Sequence, residues 1–196
     1  AECEAALVGR RLCERLAGRY DKVHLVPYGE FTPWRKPLAW LYRHFPVRDM
    51  DYTSGRGFFP LRADAAPFGA AICFESAFPY VARALRHSGA EALAILTNDA
   101  WFGARAATWQ HYHMAAFRAV ENGCYLARVA TTGFTAIIDP RGRTVAEAPL
   151  NTRRVLTGEM RRCPALTLYT RLGDVMGWGS ALAVGWMLLY WLRRRK

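Results

Sequence analysis

Residues 69–76, GAAICFES, decide how this chain is interpreted. The apolar residues 70–72 predict a short buried strand, and residues 77–87 repeat apolar side chains at helical spacing. Cys73 therefore lies at a sharp turn between a strand and a helix, near the positive end of the helix dipole, where a reactive thiolate is favoured. The alternative is an inert buried cysteine, because free cysteine is among the most buried residue types.

A second informative stretch covers residues 19–31, RYDKVHLVPYGEF. Its apolar residues 23–26 predict a strand that ends at Pro27. Lys22 lies in this apolar context, where an ammonium group needs an anion nearby and can stabilise a developing oxyanion. Glu30 follows Gly29, whose backbone permits a sharp turn. The alternatives are a lysine at a strand edge that reaches solvent and a turn carboxylate that pairs with a neighbouring arginine.

A third stretch covers residues 91–103, in which residues 92–96 predict a buried strand and TNDAWFG follows its carboxyl end. Polar groups at such strand ends line sites in α/β sheets. Residues 106–122 predict a helix that ends at Gly123. The resulting order of strands and helices predicts an α/β protein with a layered sheet. Further strands are predicted at residues 124–130, 135–138, 143–146 and, as an edge strand, 153–160.

The composition favours a membrane surface over a nucleic acid as partner. The chain has 196 residues and a formal net charge of +11, but its basic residues are scattered and form no nucleic-acid motif. Attraction to anionic lipid headgroups is the better explanation of the charge. The five cysteines form no CxxC pair and, being odd in number, leave at least one thiol free. His111 and His113 lack the spacing of a helical metal site, so no metal is expected.

Residues 175–192 form an apolar run without a charge, VMGWGSALAVGWMLLYWL. As a helix the run is roughly 27 Å long, enough to cross a bilayer core. Asp174 precedes it and the tail RRRK follows it, so the positive-inside rule places the tail in the cytoplasm and the preceding residues on the other side. The alternative is the core helix of a soluble protein.

Residues 32–60 predict a long irregular segment that contains prolines, aromatic residues and positive charges. Such a composition suits a loop that rests on a membrane surface, and the alternative is an ordinary surface loop. Residues 1–18 fit either a helix or a strand hairpin.

Taken together, YDKVHLVPYGEF, GAAICFES, LTNDAWFG and RAVENGCYLARVATTGFTAIIDPRG resemble the nitrilase superfamily, over about residues 19–160. Within it, the lysine motif, the aromatic loop and the terminal apolar run look most like the apolipoprotein N-acyltransferases. The resemblance implies a nitrilase-like αββα sandwich, incomplete at its N-terminus, followed by one transmembrane helix. The implied domains are a partial catalytic domain over residues 1–172, a transmembrane helix over 173–192 and a basic cytoplasmic tail over 193–196.

The same resemblance implies a Glu-Lys-Cys triad. Cys73 matches the nucleophile, which takes up an acyl chain as a thioester, and Lys22 matches the residue that stabilises the oxyanion together with the N–H after the cysteine. Glu30 and Glu75 match supporting carboxylates that hold Lys22 and the pocket. The candidate substrate-binding residues are Phe74, Asn98, Trp101 and Phe102.

The implied activity transfers a fatty acyl chain from a phospholipid to the N-terminal amine of diacylglyceryl-cysteine lipoproteins, without a cofactor. The implied location is the bacterial inner membrane, with the catalytic domain in the periplasm. The family's general-base glutamate lies well upstream of the lysine, and Glu2, Glu4 and Glu14 lie too close to it. We therefore expect a C-terminal portion, inactive alone, that lacks an N-terminal membrane segment. The alternatives are a soluble-type amidase that hydrolyses C–N bonds and a non-catalytic remnant.

Overall fold

The computed structural model describes residues 18–34, 39–42, 44, 51–62, 66–102 and 105–194. Within them the strands are β1 (Leu61–Arg62), β2 (Pro67–Ile72), β3 (Ala92–Thr97), β4 (Leu126–Ala130), β5 (Thr135–Ile138) and β6 (Thr144–Ala148). These strands form one sheet in the order β1 to β6. The three central strands β2, β3 and β4 are parallel, and the outer pairs are antiparallel. The predicted α/β class is confirmed.

The helices of the described residues are α1 (Ala39–Tyr42), α2 (Pro79–His87), α3 (Arg105–Asn122), α4 (Leu168–Leu172) and α5 (Val175–Arg194), with 3-10 helices at Cys73–Ala77 and Asp99–Phe102. Helices α2 and α3 contact each other and the sheet. Pro79 occupies the first turn of α2, where its missing N–H costs nothing. Gly123 ends α3 with a φ of 56°, as a glycine C-cap requires. The core lies between these helices and the sheet and includes Val81, Leu85, Ala115, Ala119, Leu126 and Ile138.

The register of the parallel strands brings three chain segments to one edge of the sheet. Ile72 lies opposite Leu96, and Thr97 lies opposite Ala130. The residues that follow β2, β3 and β4 therefore leave the sheet side by side. Sites in α/β sheets form at this carboxyl edge, and Cys73 is the first residue beyond β2.

The predicted strand over residues 23–26 is wrong. Among the described residues this segment joins no ladder and bends at His24, and its nearest β-contact is an isolated bridge between Pro27 and Phe31. The backbone N–H groups of Val23 and His24 donate to the side chain of Glu75 at 2.8 and 2.9 Å. Because a carboxylate takes the donors that a neighbouring strand would need, no strand forms here.

The predicted edge strand over residues 153–160 is also wrong. The segment has no ladder partner among the described residues, and most of its side chains are exposed. Gly158 lies so close to Ile137 that an added Cβ would come within 2.6 Å of that side chain. The segment therefore crosses over β5 instead of extending the edge of the sheet.

The segment predicted to rest on a membrane lies only partly within the described residues. Its described aromatic side chains include Trp34, Trp40 and Phe59, which are 71%, 65% and 63% exposed. The basic residues 35, 36, 43 and 48 lie outside the described part, as do residues 1–17, for which a helix or a hairpin was expected.

Helix α5 is apolar, and none of its side chains is buried. It is the one helix of the described residues that is long and apolar enough to cross a membrane. The short helix α4 connects it firmly to the sheet domain. Thr170 accepts hydrogen bonds at its carbonyl from Arg83, at 2.7 Å, and donates its hydroxyl to Asn122, at 3.0 Å. These contacts hold α4, which precedes α5 in the chain, against α2 and α3.

Candidate active site

Cys73 occupies a strained turn at the end of β2. Its φ is 53°, in the left-handed region that costs a residue with a side chain about 1–2 kcal/mol. Such strain persists where the surrounding structure holds it, and it is common at functional sites. The sequence placed Cys73 at a turn before a helix over residues 77–87, and that helix, α2, begins at Pro79. The cysteine itself begins the 3-10 helix Cys73–Ala77, and it is partly exposed.

Glu75 connects the cysteine turn to the lysine segment. Its fully buried carboxylate accepts hydrogen bonds from the backbone N–H groups of Val23 at 2.8 Å, His24 at 2.9 Å and Ile72 at 2.7 Å. The Tyr20 hydroxyl donates to both of its oxygens at 3.1 Å. Burial, followed by the Glu75 charge, raises the pKa of Tyr20, so this phenol stays protonated and remains a donor. Glu75 therefore acts on the backbone around Lys22 and not on the ammonium group itself.

Lys22 forms an ion pair with Glu30, the carboxylate that the resemblance assigns to it. Its ammonium group lies 2.6 and 2.7 Å from the two oxygens of Glu30, and its side chain is 9% exposed. Glu30 also accepts from the backbone N–H of Val26 at 2.9 Å. The N–H groups of residues 29 and 30 both donate to the carbonyl of Val26, which closes the turn. Glu30 therefore fixes the ammonium group of Lys22. Glu75 in turn connects the backbone next to this lysine, at Val23 and His24, to the cysteine turn.

The predicted substrate-binding residues lie in two groups. Phe74 belongs to an aromatic cluster in which its ring is 5.1 Å from Phe78 and 6.3 Å from His24. The others follow β3. Trp101 is 76% exposed there, whereas Phe102 packs edge-on against the ring of His111 at 5.4 Å. Asn98 is exposed and accepts a hydrogen bond from the backbone N–H of Ala100 at 3.2 Å. Their roles remain predictions.

Four buried polar residues behind the cysteine turn were not predicted. His111 lies 2.8 Å from the Ser76 hydroxyl through Nε2 and 2.9 Å from Asp99 through Nδ1. Asp99 also forms an ion pair with Arg128 at 2.6 Å. Burial opposes ionisation of Asp99, but the hydrogen bond from His111 and the charge of Arg128 outweigh it and hold the pKa of Asp99 below its usual value. Burial lowers the pKa of Arg128, although the charge of Asp99 and the hydrogen bond to it act in the opposite direction.

One of these residues carried a signal in the sequence. Arg128 lies inside the apolar strand LARVA, and a buried arginine requires an anion. The sequence does not show which anion it is, because Asp99 stands after a different strand. Within the described residues, no group of three or more histidine, cysteine, aspartate or glutamate side chains could hold a metal ion.

Comparison with known proteins gives the chain's relatives. It is 39% identical over 178 residues to the apolipoprotein N-acyltransferase of Geobacter metallireducens. The aligned region covers 91% of this chain and 34% of that protein. It is 41% identical over 180 residues to the enzyme of the same name from Methylococcus capsulatus, covering 91% of this chain and 35% of that protein. The motif-based resemblance is thereby confirmed. The chain spans about a third of the length of these relatives.

Solved structures show the same fold at low identity. A carbon-nitrogen hydrolase from Helicobacter pylori G27 matches with a TM-score of 0.51 and 17% identity, covering 67% of this chain and 48% of that chain. The C. elegans NitFhit protein matches with a TM-score of 0.50 and 22% identity, covering 68% and 32%. The predicted nitrilase-like fold is confirmed. The sequence profile of the carbon-nitrogen hydrolases matches residues 10–163. Since this match covers most of the sequence, the chain belongs to the carbon-nitrogen hydrolase family.

Proposed function

We propose that this chain carries the acyl-transferring centre of a membrane-bound N-acyltransferase. The enzyme takes a fatty acyl chain from a phospholipid as a thioester on Cys73 and passes it to the N-terminal amine of diacylglyceryl-cysteine lipoproteins. The observation that carries the proposal is the double attachment of Glu75, which accepts from Ile72 beside the cysteine and from Val23 beside Lys22. The nucleophile and the cation that it needs are tied to one buried carboxylate.

The proposed reaction has two steps. The Cys73 sulfur attacks the ester carbonyl of the phospholipid, and its proton goes to a general base and then to the departing lysophospholipid. Lys22 and the N–H of Phe74 stabilise the oxyanion that forms. The lipoprotein amine then attacks the thioester, loses a proton to the base, and releases the thiolate as the amide forms. The resemblance assigns the base to a glutamate upstream of Lys22.

Helix α5 supports the membrane setting of this proposal. Its 20 residues have no buried side chain, and Arg193 and Arg194 stand at its end. Basic residues favour the cytoplasmic side. The catalytic part of the chain then faces the periplasm of a bacterial inner membrane, where phospholipid donors and lipoprotein acceptors meet. The N-terminal membrane segment implied by the family resemblance belongs to the same arrangement.

A hydrolase acting on C–N bonds is the second candidate, because the family is named for this reaction. A soluble amidase has no use for an exposed apolar helix of the length of α5. A remnant without catalysis has no use for a part-buried ion pair between Lys22 and Glu30 or for a strained cysteine. Partitioning of the protein into membranes separates the first candidate from the second, and trapping of an acyl-enzyme separates both from the third.

The test uses the protein as its source cell makes it, purified in detergent and mixed with phospholipid that carries a labelled acyl chain. Mass spectrometry is expected to find a thioester on Cys73. The variant Cys73→Ala should lose it and keep the fold, because the substitution removes little volume. The matched control Cys163→Ala removes another partly buried thiol and should acylate normally. A normal thioester in Cys73→Ala would refute the assignment.

A further inference from the structure

The main-chain carbonyl of Cys73 is held by two buried side chains that the proposed reaction does not use. Ser76 donates its hydroxyl to this oxygen at 3.0 Å, and His111 Nε2 lies 3.2 Å from it. The two residues are 2% and 3% exposed. A carbonyl that belongs to the nucleophile itself is therefore fixed from the interior of the protein.

His111 is in turn fixed from behind by Asp99. The Nδ1 atom of the imidazole lies 2.9 Å from Oδ1 of Asp99, which also accepts from Thr97 at 2.9 Å. The other oxygen of Asp99 accepts from Arg128 at 2.6 Å. Arg128 donates its Nε to the carbonyl of Phe134 at 3.2 Å and has no exposed side-chain surface. The chain of contacts runs from β4 through β3 and α3 to the cysteine turn.

Nε2 of His111 faces both polar groups of the cysteine turn. It lies 2.8 Å from the Ser76 hydroxyl and 3.2 Å from the Cys73 carbonyl. A carbonyl oxygen only accepts hydrogen bonds, so this oxygen is held by donation from Ser76 or from Nε2. On the other side of the ring, Nδ1 faces the carboxylate of Asp99.

This arrangement controls the peptide group between residues 73 and 74. In a trans peptide, the carbonyl of Cys73 and the N–H of Phe74 point in opposite directions on one rigid plane, and the described residues contain no cis peptide. Fixing the oxygen therefore fixes the direction of the N–H. Hydrogen bonds at the carbonyl also polarise the peptide and strengthen its N–H as a donor.

We propose that His111 is a positioning residue that aims the Phe74 N–H at the acyl oxyanion. It acts through Nε2, directly on the Cys73 carbonyl and through Ser76, while Asp99 and Arg128 hold the ring in place. The inference rests on the proposed function, because that function assigns the Phe74 N–H to the oxyanion. It adds a residue that contacts neither the substrate nor the reacting atoms.

The test compares two isosteric substitutions in the protein purified from its source membranes. In His111→Gln the side-chain amide nitrogen takes the place of Nε2, and in His111→Asn it takes the place of Nδ1. Acylation of Cys73 by p-nitrophenyl butyrate and by phospholipid is followed by mass spectrometry. Alkylation of the same thiol by iodoacetamide is followed in parallel, because that displacement forms no oxyanion. The control is His113→Gln, an exposed histidine on the same helix.

We expect His111→Asn to slow ester acylation about 100-fold, and His111→Gln to slow it about 10-fold or less, since losing one oxyanion donor costs 100- to 1,000-fold. Alkylation should be unchanged in both. Equal slowing of acylation and alkylation would overturn the inference and assign His111 to placing the thiol.

Faster ester acylation in His111→Asn than in His111→Gln would also overturn it. If wild type reacts with the p-nitrophenyl ester but not with phospholipid, the lipid function fails while the positioning is still measured; if it reacts with neither, both fail.

Discussion

Replacing Glu75 by Gln tests the contact that ties the two halves of the proposed site together. The substitution keeps the shape of the side chain but turns one acceptor oxygen into an NH₂ donor. One oxygen of Glu75 faces the N–H groups of Val23 and His24, and the other faces the N–H of Ile72. Whichever way the amide turns, an NH₂ group meets at least one backbone N–H.

The cost follows from these contacts. One charge-assisted hydrogen bond is lost, worth about 1.5–3 kcal/mol, and one buried N–H is left without an acceptor, worth about 1–3 kcal/mol. We expect Glu75→Gln to lower the free energy of unfolding by about 3–5 kcal/mol, a large part of the 5–15 kcal/mol typical of a domain. Tyr20→Phe removes a single hydroxyl donor and should cost about 1 kcal/mol.

Denaturant unfolding in detergent measures these changes, with Glu147→Gln, an exposed residue of β6, as the matched control. Hydrogen exchange adds a local reading. The amides of Val23 and His24 should lose protection in Glu75→Gln, whereas the amide of Leu93, which bonds to Tyr125 within the sheet, should keep it. If Glu75→Gln unfolds within about 0.5 kcal/mol of the control and leaves both amides protected, Glu75 does not hold the lysine segment.

Three further outcomes are expected. Lys22→Met should slow acylation of Cys73 about 100- to 1,000-fold in single-turnover measurements, because one donor to the oxyanion is lost. Gly133→Ala should destabilise the fold by about 3 kcal/mol in thermal unfolding, because its Cβ would lie 2.1 Å from the Asp99 carboxylate, whereas Gly179→Ala meets nothing within 4 Å. Burial raises the pKa of Cys124 to about 12, so this thiol should resist alkylation at pH 8 until denaturant is added.

The sequence predicted the elements whose signals are local. The apolar runs at β2 and β3 and the spacing of α2 and α3 are readable along the chain, and each was found within a few residues of its predicted bounds. Lys22 was singled out because an ammonium group in an apolar context needs an anion, and Glu30 because it follows the turn at Gly29. The structure pairs them at 2.6 Å.

Contacts between side chains far apart in the sequence could not be predicted from local patterns. Residues 23–26 have the composition of a strand, but a carboxylate about fifty residues further along takes their N–H groups. Asp99, His111 and Arg128 come from a 3-10 helix, an α-helix and a strand, and no local pattern shows that they meet. Only the buried arginine in an apolar strand signalled that an anion was needed. A charged residue inside an apolar strand therefore predicts a buried residue of opposite charge next to it, even where the sequence does not identify that residue.

The strain at Cys73 explains why two buried carboxylates flank one turn. A positive φ at a residue with a side chain relaxes unless contacts on both sides hold it. Glu75 holds the turn from the strand side through the N–H of Ile72, and Asp99 holds it from the helix side through His111 and the Cys73 carbonyl. Because each contact fixes a different atom of the same turn, losing either one allows the backbone to relax. The position of the sulfur and the direction of the following N–H therefore depend on two separate anions, one in contact with the lysine segment and one in contact with β4.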